Sequence, residues 1–183
     1  MKNKVVWHEI ILFAVVLFLI LWKLLVYKVT LGLPMLWWLL GVVVGFLFIF
    51  LDRFVYSLVT HKDESLSMKI RDMIKKGQVF MAVEMLVNER QEQRELVMRS
   101  FLFIGVWVIL GVFTVTSSVD FFARGFMLGI GTHLMFDLIT DFVWNKPRFD
   151  LWFWQIKRKV ADDEKRWFLG LSVLFYVLLA SRL

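Results

Sequence analysis

The chain has 183 residues, of which 60% are hydrophobic and 17% aromatic, and its mean hydropathy is +0.70. A soluble domain of this length could not bury so much apolar surface in one core, so the composition predicts an integral membrane protein. The absence of cysteine excludes disulfides and thiolate metal sites. The net charge of +6 does not indicate nucleic acid as a partner, because the Lys and Arg residues fall in loops beside apolar runs.

Five apolar runs have the length that a membrane-spanning helix requires, about 20 residues each, although the last is shorter. They cover residues 8–28, 33–53, 99–118, 121–143 and 167–182. The pattern predicts an all-α fold, a polytopic membrane helix bundle of about five transmembrane helices that forms a single domain over 1–183. The first run is expected to be a retained span, since it contains Lys23 and no small-residue cleavage site follows it.

Two polar segments interrupt the apolar runs, at 57–98 and 145–166. The first is predicted to be a cytoplasmic insertion of two amphipathic helices broken near Gly77, because its apolar residues recur at helical spacing. Its second helix is expected to continue through 89–95 into the third span. Both segments are basic, so the positive-inside rule places them, and the N-terminus, on the cytoplasmic side of a bacterial-type plasma membrane.

The second basic segment carries an aromatic run followed, two residues later, by a cationic run, which is typical of an interfacial anchor. Indole rings would lie at headgroup depth and the cations would face anionic lipid, so membrane lipids are the expected partners and nucleic acid is not. The residues concerned are Trp152, Trp154, Lys157, Arg158 and Lys159.

Glycines four positions apart occur in the second and fourth spans, a spacing that lets helix backbones approach closely. They are Gly41, Gly45, Gly125 and Gly129. The pattern leaves open a homo-oligomer formed through these glycines. The last two also continue the stripe of polar residues described next, which predicts that this face of the fourth span packs inward.

His133, Asp137 and Asp141 lie four residues apart in the fourth span, so on a helix they project from one stripe that drifts only about 40° per step. Ionisable groups in hydrocarbon are costly unless they face a partner, a metal or a water-filled cavity. We therefore predict a buried polar site. The predicted topology brings three further residues to the same depth, and these are Asp52, Arg94 and Arg99.

Two interpretations of this site remain open. In the first, Asp52, His133 and Asp137 bind a divalent metal such as zinc or manganese, because paired ligands at i and i+4 are typical of helical metal sites. In the second, the two arginines neutralise the carboxylates, and Arg94, Arg99 and Asp141 belong to an ion-pair network that fixes helix packing. Arginine then takes the place of a metal.

The pattern Gly-x-x-x-His-x-x-x-Asp-x-x-Thr runs from Gly129 to Thr140 and includes His133 and Asp137. It resembles an element of the membrane-bound metal-dependent hydrolases, also called LexA-binding, inner-membrane-associated hydrolases. The resemblance implies a small helical membrane protein that uses a metal to hydrolyse an ester. It also implies that the matching histidine and aspartate are metal ligands.

Two further elements of that family survive only in part. The Pro-Asp-x-Asp element keeps one acid, Asp52, and both histidines of the His-Arg-Gly-x-Thr-His-Ser element correspond here to Arg94 and Arg99. Arginine stays protonated and offers no lone pair to a metal. The chain therefore resembles a divergent member of the family with degraded motifs.

Three functions follow from these interpretations. The arginines favour a non-catalytic membrane protein with an ion-paired polar core that acts in structure, lipid binding or partner binding. One alternative is a metal-dependent hydrolase that acts on a phosphoester or ester at the cytoplasmic leaflet. The other is a proton-coupled transport component that uses the column of His133, Asp137 and Asp141. The sequence assigns no catalytic residue.

Overall fold

The computed structural model describes residues 10–11, 14–18, 21–22, 32–89 and 92–183. Within these ranges the chain is helical and has no strand, which confirms the all-α prediction. The first predicted span, 8–28, lies largely outside the described residues. The helices are α1 (Leu33–Phe48), α2 (Leu51–Val55), α3 (Ser65–Lys75), α4 (Val79–Asn88), α5 (Phe101–Thr116), α6 (Phe121–Trp144), α7 (Lys146–Asp150) and α8 (Asp162–Ala180).

Two helices in the described part of the chain are long and apolar enough to cross a membrane. They are α6 and the helix over Leu33–Thr60, which joins α1 and α2 to a π-helical turn at Tyr56–Thr60. α5 is apolar but has only 16 residues, and α8 begins with a charged turn. The helical fold is thus established, whereas the number of spans stays a prediction.

α6 is the central helix and packs most closely against α1. Gly125 lies against the backbone of Trp38 and Gly129 against that of Val42, so the contacts advance in the same order and the two helices run parallel. An added Cβ at any of four glycines would overlap backbone atoms of the facing helix, and these are Gly41, Gly45, Gly125 and Gly129.

The structure does not support a contact between two copies through these glycines, which the sequence left open. Their surfaces are already covered by the neighbouring helix of the same chain, because the backbones approach too closely to admit any side chain between them. A second copy would have to bind through another surface. Homo-oligomerisation itself stays a prediction.

α5 and α8 also pack against α6, and both run antiparallel to it. Trp107 of α5 donates from Nε1 to the carbonyl oxygen of Met127 at 2.9 Å. Trp38, near the start of α1, donates from Nε1 to the carbonyl oxygen of Leu183, after α8, at 3.0 Å. The end of α6 therefore lies beside the beginnings of α5 and α8.

This arrangement gathers the two basic segments, 57–98 and 145–166, at one end of the bundle. We call these segments the basic end. Within the first segment, α3 and α4 are separated at Gly77, whose φ of 74° favours glycine, and the predicted break is confirmed. The predicted continuation of the second helix into the next span is wrong, because α4 ends at Asn88 and residues 92–100 are not helical.

The irregular segment before α5 is held by a carboxylate and a helix cap. The two carboxylate oxygens of Asp52 accept hydrogen bonds from the backbone N–H groups of Val97 and Met98, at 3.1 and 2.9 Å. Ser100 then caps α5 by accepting from the N–H of Phe103 at 3.2 Å. These polar contacts favour an extended entry into α5 over the long helix that the spacing of apolar residues predicts.

A small second core anchors the insertion to the bundle. Phe54 of α2 packs against it, and the buried Arg53 donates to the carbonyl oxygen of Leu86 at 3.2 Å. Its central residues come from α3 and α4 and are Leu66, Ile70, Ala82 and Leu86. The insertion is therefore attached to the same helix that supplies Asp52.

Candidate functional site

His133 lies in the polar stripe of α6 and is fully buried. Its Nδ1 lies 2.8 Å from the carbonyl oxygen of Phe46, which only accepts, so Nδ1 carries a proton. Its Nε2 lies 3.1 Å from Nη2 of Arg99, which only donates, so Nε2 is the acceptor in this contact. We therefore assign the neutral Nδ1–H tautomer, in which the lone pair of Nε2 is already engaged.

Asp137, one turn further along α6, is paired with the same guanidinium group. Its Oδ2 lies 2.5 Å from Nε of Arg99, and both side chains are buried. The same carboxylate oxygen lies 3.4 Å from Nε2 of His133. Arg99 thus contacts both side chains at once, and we call Arg99, His133 and Asp137 the buried triad. It connects α6 with the entry to α5 and, through Phe46, with α1.

Aromatic rings separate the triad from its surroundings on the α1 side. The ring centroids of Phe46 and Phe50 lie 4.5 and 4.8 Å from that of His133. Apolar walls of this kind lower the local dielectric constant, which strengthens paired charges and makes an unpaired charge more costly. The three polar side chains therefore depend on one another.

Asp141, the third acid of the stripe, has different partners. Its Oδ2 accepts a hydrogen bond from Nε1 of Trp152 at 3.1 Å, and Nε of Arg148 lies 3.6 Å away. Arg148 is not among the site residues predicted from the sequence. The available signal is Pro147, which indicates that a new helix begins after α6 and can return a side chain toward Asp141.

The predicted role of Trp152 as an interfacial anchor is wrong. Its side chain is 1% exposed and belongs to the core, where the indole N–H binds Asp141. Trp154 is 37% exposed and donates from Nε1 to the carbonyl oxygen of Leu96 at 3.3 Å. Sequence spacing cannot separate the two rings, because the 3-10 turn over Leu151–Phe153 directs Trp152 inward.

The cations after this turn remain exposed at the basic end. Arg158 is nevertheless engaged within the chain, since its Nη1 and Nη2 lie 2.8 and 2.7 Å from the carboxylate oxygens of Glu164. These hydrogen bonds, together with one from the backbone N–H of Ala161, lower the pKa of Glu164 to about 2. The headgroup role of Lys157 and Lys159 stays a prediction, whereas Arg158 ties the loop to the start of α8.

Asp52 and Arg94 lie outside the triad. Asp52 binds the backbone before α5. Arg94, a predicted member of the ion-pair network, is exposed, and Arg148 is the arginine that lies beside Asp141. No group of three His, Asp or Glu side chains in the described part of the chain could hold a metal. The predicted ligand set of Asp52, His133 and Asp137 is therefore not assembled, because Arg99 engages two of its members.

Comparisons with family models, with curated proteins and with solved structures find no match to this chain. The resemblance to the membrane-bound metal-dependent hydrolases thus rests on the motif around His133 and Asp137 and stays a prediction. The chemistry of the site follows from its own residues. An ion pair joins α6 to the segment before α5, a hydrogen bond from His133 joins α6 to α1, and the lone pair of the histidine is used by an arginine.

Proposed function

We propose that this chain is an integral membrane protein in which an ion-paired polar core takes the place of a metal centre. Its function is then non-catalytic, in lipid or partner binding at the basic end. One observation carries the proposal: Arg99 donates to Nε2 of His133 and to Oδ2 of Asp137, the atoms that a metal would need. A cation fixed against both atoms repels a divalent ion.

The outward surfaces of the bundle support a membrane location. Rows of large apolar side chains, spaced three or four residues apart, cover whole faces of three helices. They are Leu36, Leu40, Val43 and Leu47 in α1, Leu102, Val106, Ile109 and Phe113 in α5, and Leu171, Leu174 and Leu178 in α8. Contiguous apolar surface of this extent is costly in water and suits contact with lipid tails.

In this proposal the basic end faces the cytoplasm of a bacterial-type plasma membrane, as the positive-inside rule requires. The insertion contributes to membrane contact, since α4 exposes Val79, Phe80 and Met81. An amphipathic helix with such side chains lies in the interface between headgroups and acyl chains. Lys157 and Lys159 would contact anionic headgroups from the other segment of the same end.

The test starts with untagged protein from membranes washed at alkaline pH, a treatment that leaves integral proteins in place. The wild type, His133→Ala and Asp137→Ala are incubated with zinc and manganese, desalted and compared by plasma mass spectrometry. We expect background metal in all three, because the triad offers no assembled ligand set. Addition of a chelator should leave the melting temperature of the wild type unchanged.

A surface variant serves as the control for this experiment. His61 lies 3.3 Å from a carboxylate oxygen of Glu95, so this partly exposed pair could bind metal adventitiously. Metal that disappears in His61→Ala comes from that surface and leaves the proposal intact. Near-stoichiometric metal that is retained in His61→Ala but lost from both His133→Ala and Asp137→Ala would contradict it.

A further inference from the structure

A narrow cleft opens at the basic end beside the buried triad. Its walls include Gln93, Arg94, Arg99, Asp141 and Arg148. The cavity volume is about 10 Å³, which is the space for about one water-sized atom. Three guanidinium groups and the carboxylate of Asp141 line it, so the cleft favours an anionic or strongly accepting atom.

Arg99, which lines this cleft, has one guanidinium nitrogen without a hydrogen-bond partner among the described residues. Its Nε and Nη2 contact Asp137 and His133, whereas its Nη1 is buried and has no hydrogen-bond partner among the described residues. A buried guanidinium N–H without an acceptor is costly, since it has lost its contact with water. The third arm of Arg99 therefore favours an oxygen atom that enters through the mouth of the cleft.

We propose that the cleft binds a phosphate group by one of its oxygens. Nη1 of Arg99 donates to that oxygen at the base, and the exposed guanidinium of Arg94 contacts the remaining oxygens at the mouth. The planar donor fork of arginine matches phosphate geometry, which a lysine ammonium does not. The volume suits this mode, because a single oxygen fits at the base while the rest of the phosphate stays outside.

This inference rests on the proposed function and names its ligand as the phosphate of an anionic lipid headgroup. The cleft lies at the end of the bundle where headgroups would meet the basic segments. Oε1 of Gln93, another cleft residue, is buried and has no hydrogen-bond partner within the described ranges. It can only accept, so it suits a hydroxyl group such as those of a glycerol headgroup.

The larger pocket beside α7 and the start of α8 is a weaker candidate for the same ligand. Its volume is about 180 Å³, and it includes Lys165 and Arg166. Lys165 is already paired with Asp150 at 2.5 Å, and Arg166 lies 3.7 Å from Asp163. Carboxylates thus pair with the cations there, whereas Nη1 of Arg99 has no hydrogen-bond partner among the described residues.

The test uses the full chain in a phosphate-free maltoside detergent. Three additives are titrated, namely inorganic phosphate, short-chain phosphatidylglycerol and a phosphate-free diacylglycerol, with the melting temperature and native mass spectra as readouts. Arg94→Gln removes the cation at the mouth, and this exposed residue can be replaced without disturbing the core. Arg166→Gln is the matched control, because it removes the same charge from another exposed arginine at the basic end.

We expect phosphatidylglycerol to raise the melting temperature of the wild type and diacylglycerol to leave it unchanged. The affinity for phosphatidylglycerol should fall about tenfold in Arg94→Gln, because one charge-assisted hydrogen bond is lost. In Arg166→Gln it should stay within about twofold of the wild-type value. A response to phosphatidylglycerol alone identifies the lipid headgroup as the source. A response to inorganic phosphate as well, with the same dependence on Arg94, supports a general phosphate site.

An equal loss of phosphatidylglycerol affinity in both variants would overturn the inference. So would a melting temperature that no phosphate compound changes, and the cleft would then be assigned to water. That failure is distinct from failure of the proposed function. The metal analysis reports on His133 and Asp137, which Arg94→Gln does not alter. If the protein binds no metal and its melting temperature does not respond to phosphate, the proposal of an ion-paired core stands and only the proposed ligand is rejected.

Discussion

Arg99→Ala should lower the free energy of unfolding by about 3–5 kcal/mol, because it removes the guanidinium group that pairs with the buried carboxylate of Asp137. Adding Asp137→Asn should recover much of this loss, since the remaining amide carries no charge. Denaturant unfolding of the detergent-solubilised wild type, both single variants and the double variant gives the coupling free energy. Additive losses in the double variant would refute the pairing.

An exposed pair provides the control for that cycle. Arg158 and Glu164 have similar or better hydrogen-bond geometry, but both side chains face solvent. Water and salt screen such pairs, so their coupling should be far smaller than that of Arg99 with Asp137. Equal couplings in the two pairs would show that burial does not strengthen the interaction within the triad.

Gly129→Ala should destabilise the protein by about 2–3 kcal/mol, because the added methyl group overlaps the backbone of Val42 and forces α1 away from α6. Helix propensity alone predicts the opposite sign, since alanine favours a helix over glycine by about 0.5–1 kcal/mol. The same separation would move Phe46 away from His133. The melting temperature in detergent measures the effect.

Two other glycines are matched controls, since an added Cβ at Gly105 in α5 or at Gly170 in α8 meets nothing within 4 Å. Alanine at these positions should be neutral or slightly stabilising. If Gly129→Ala proved as stable as Gly105→Ala, this result would contradict the close approach of α1 to α6.

Apolar periodicity predicts the helices well and their surroundings poorly. The run predicted at 121–143 corresponds to α6, and the run at 99–118 contains α5. Hydropathy measures how readily each residue leaves water, and lipid and protein core are alike in that respect. This is why Trp152, a core residue, and Trp154, a partly exposed one, looked equivalent in the sequence.

The polar site could be predicted in part, because charges inside an apolar run must have partners. The column of His133 and Asp137, together with Arg99 at the same predicted depth, points to an arginine in place of a metal. Arg148 and the loop contacts of Asp52 could not be found in this way. Their partners depend on turns and on an irregular segment, whose backbone hydrogen bonds leave no periodic pattern in the sequence.

Determining the tautomer of His133 is the most direct test of whether Arg99 takes the place of a metal in the polar core. The chain has three histidines, so nitrogen NMR of histidine-labelled protein, with His133→Gln for assignment, resolves the ring of interest. We predict a proton on Nδ1, a hydrogen-bonded lone pair on Nε2 and no change when zinc is added. A proton on Nε2, or a zinc-dependent shift of its signal, would contradict the structure of the triad.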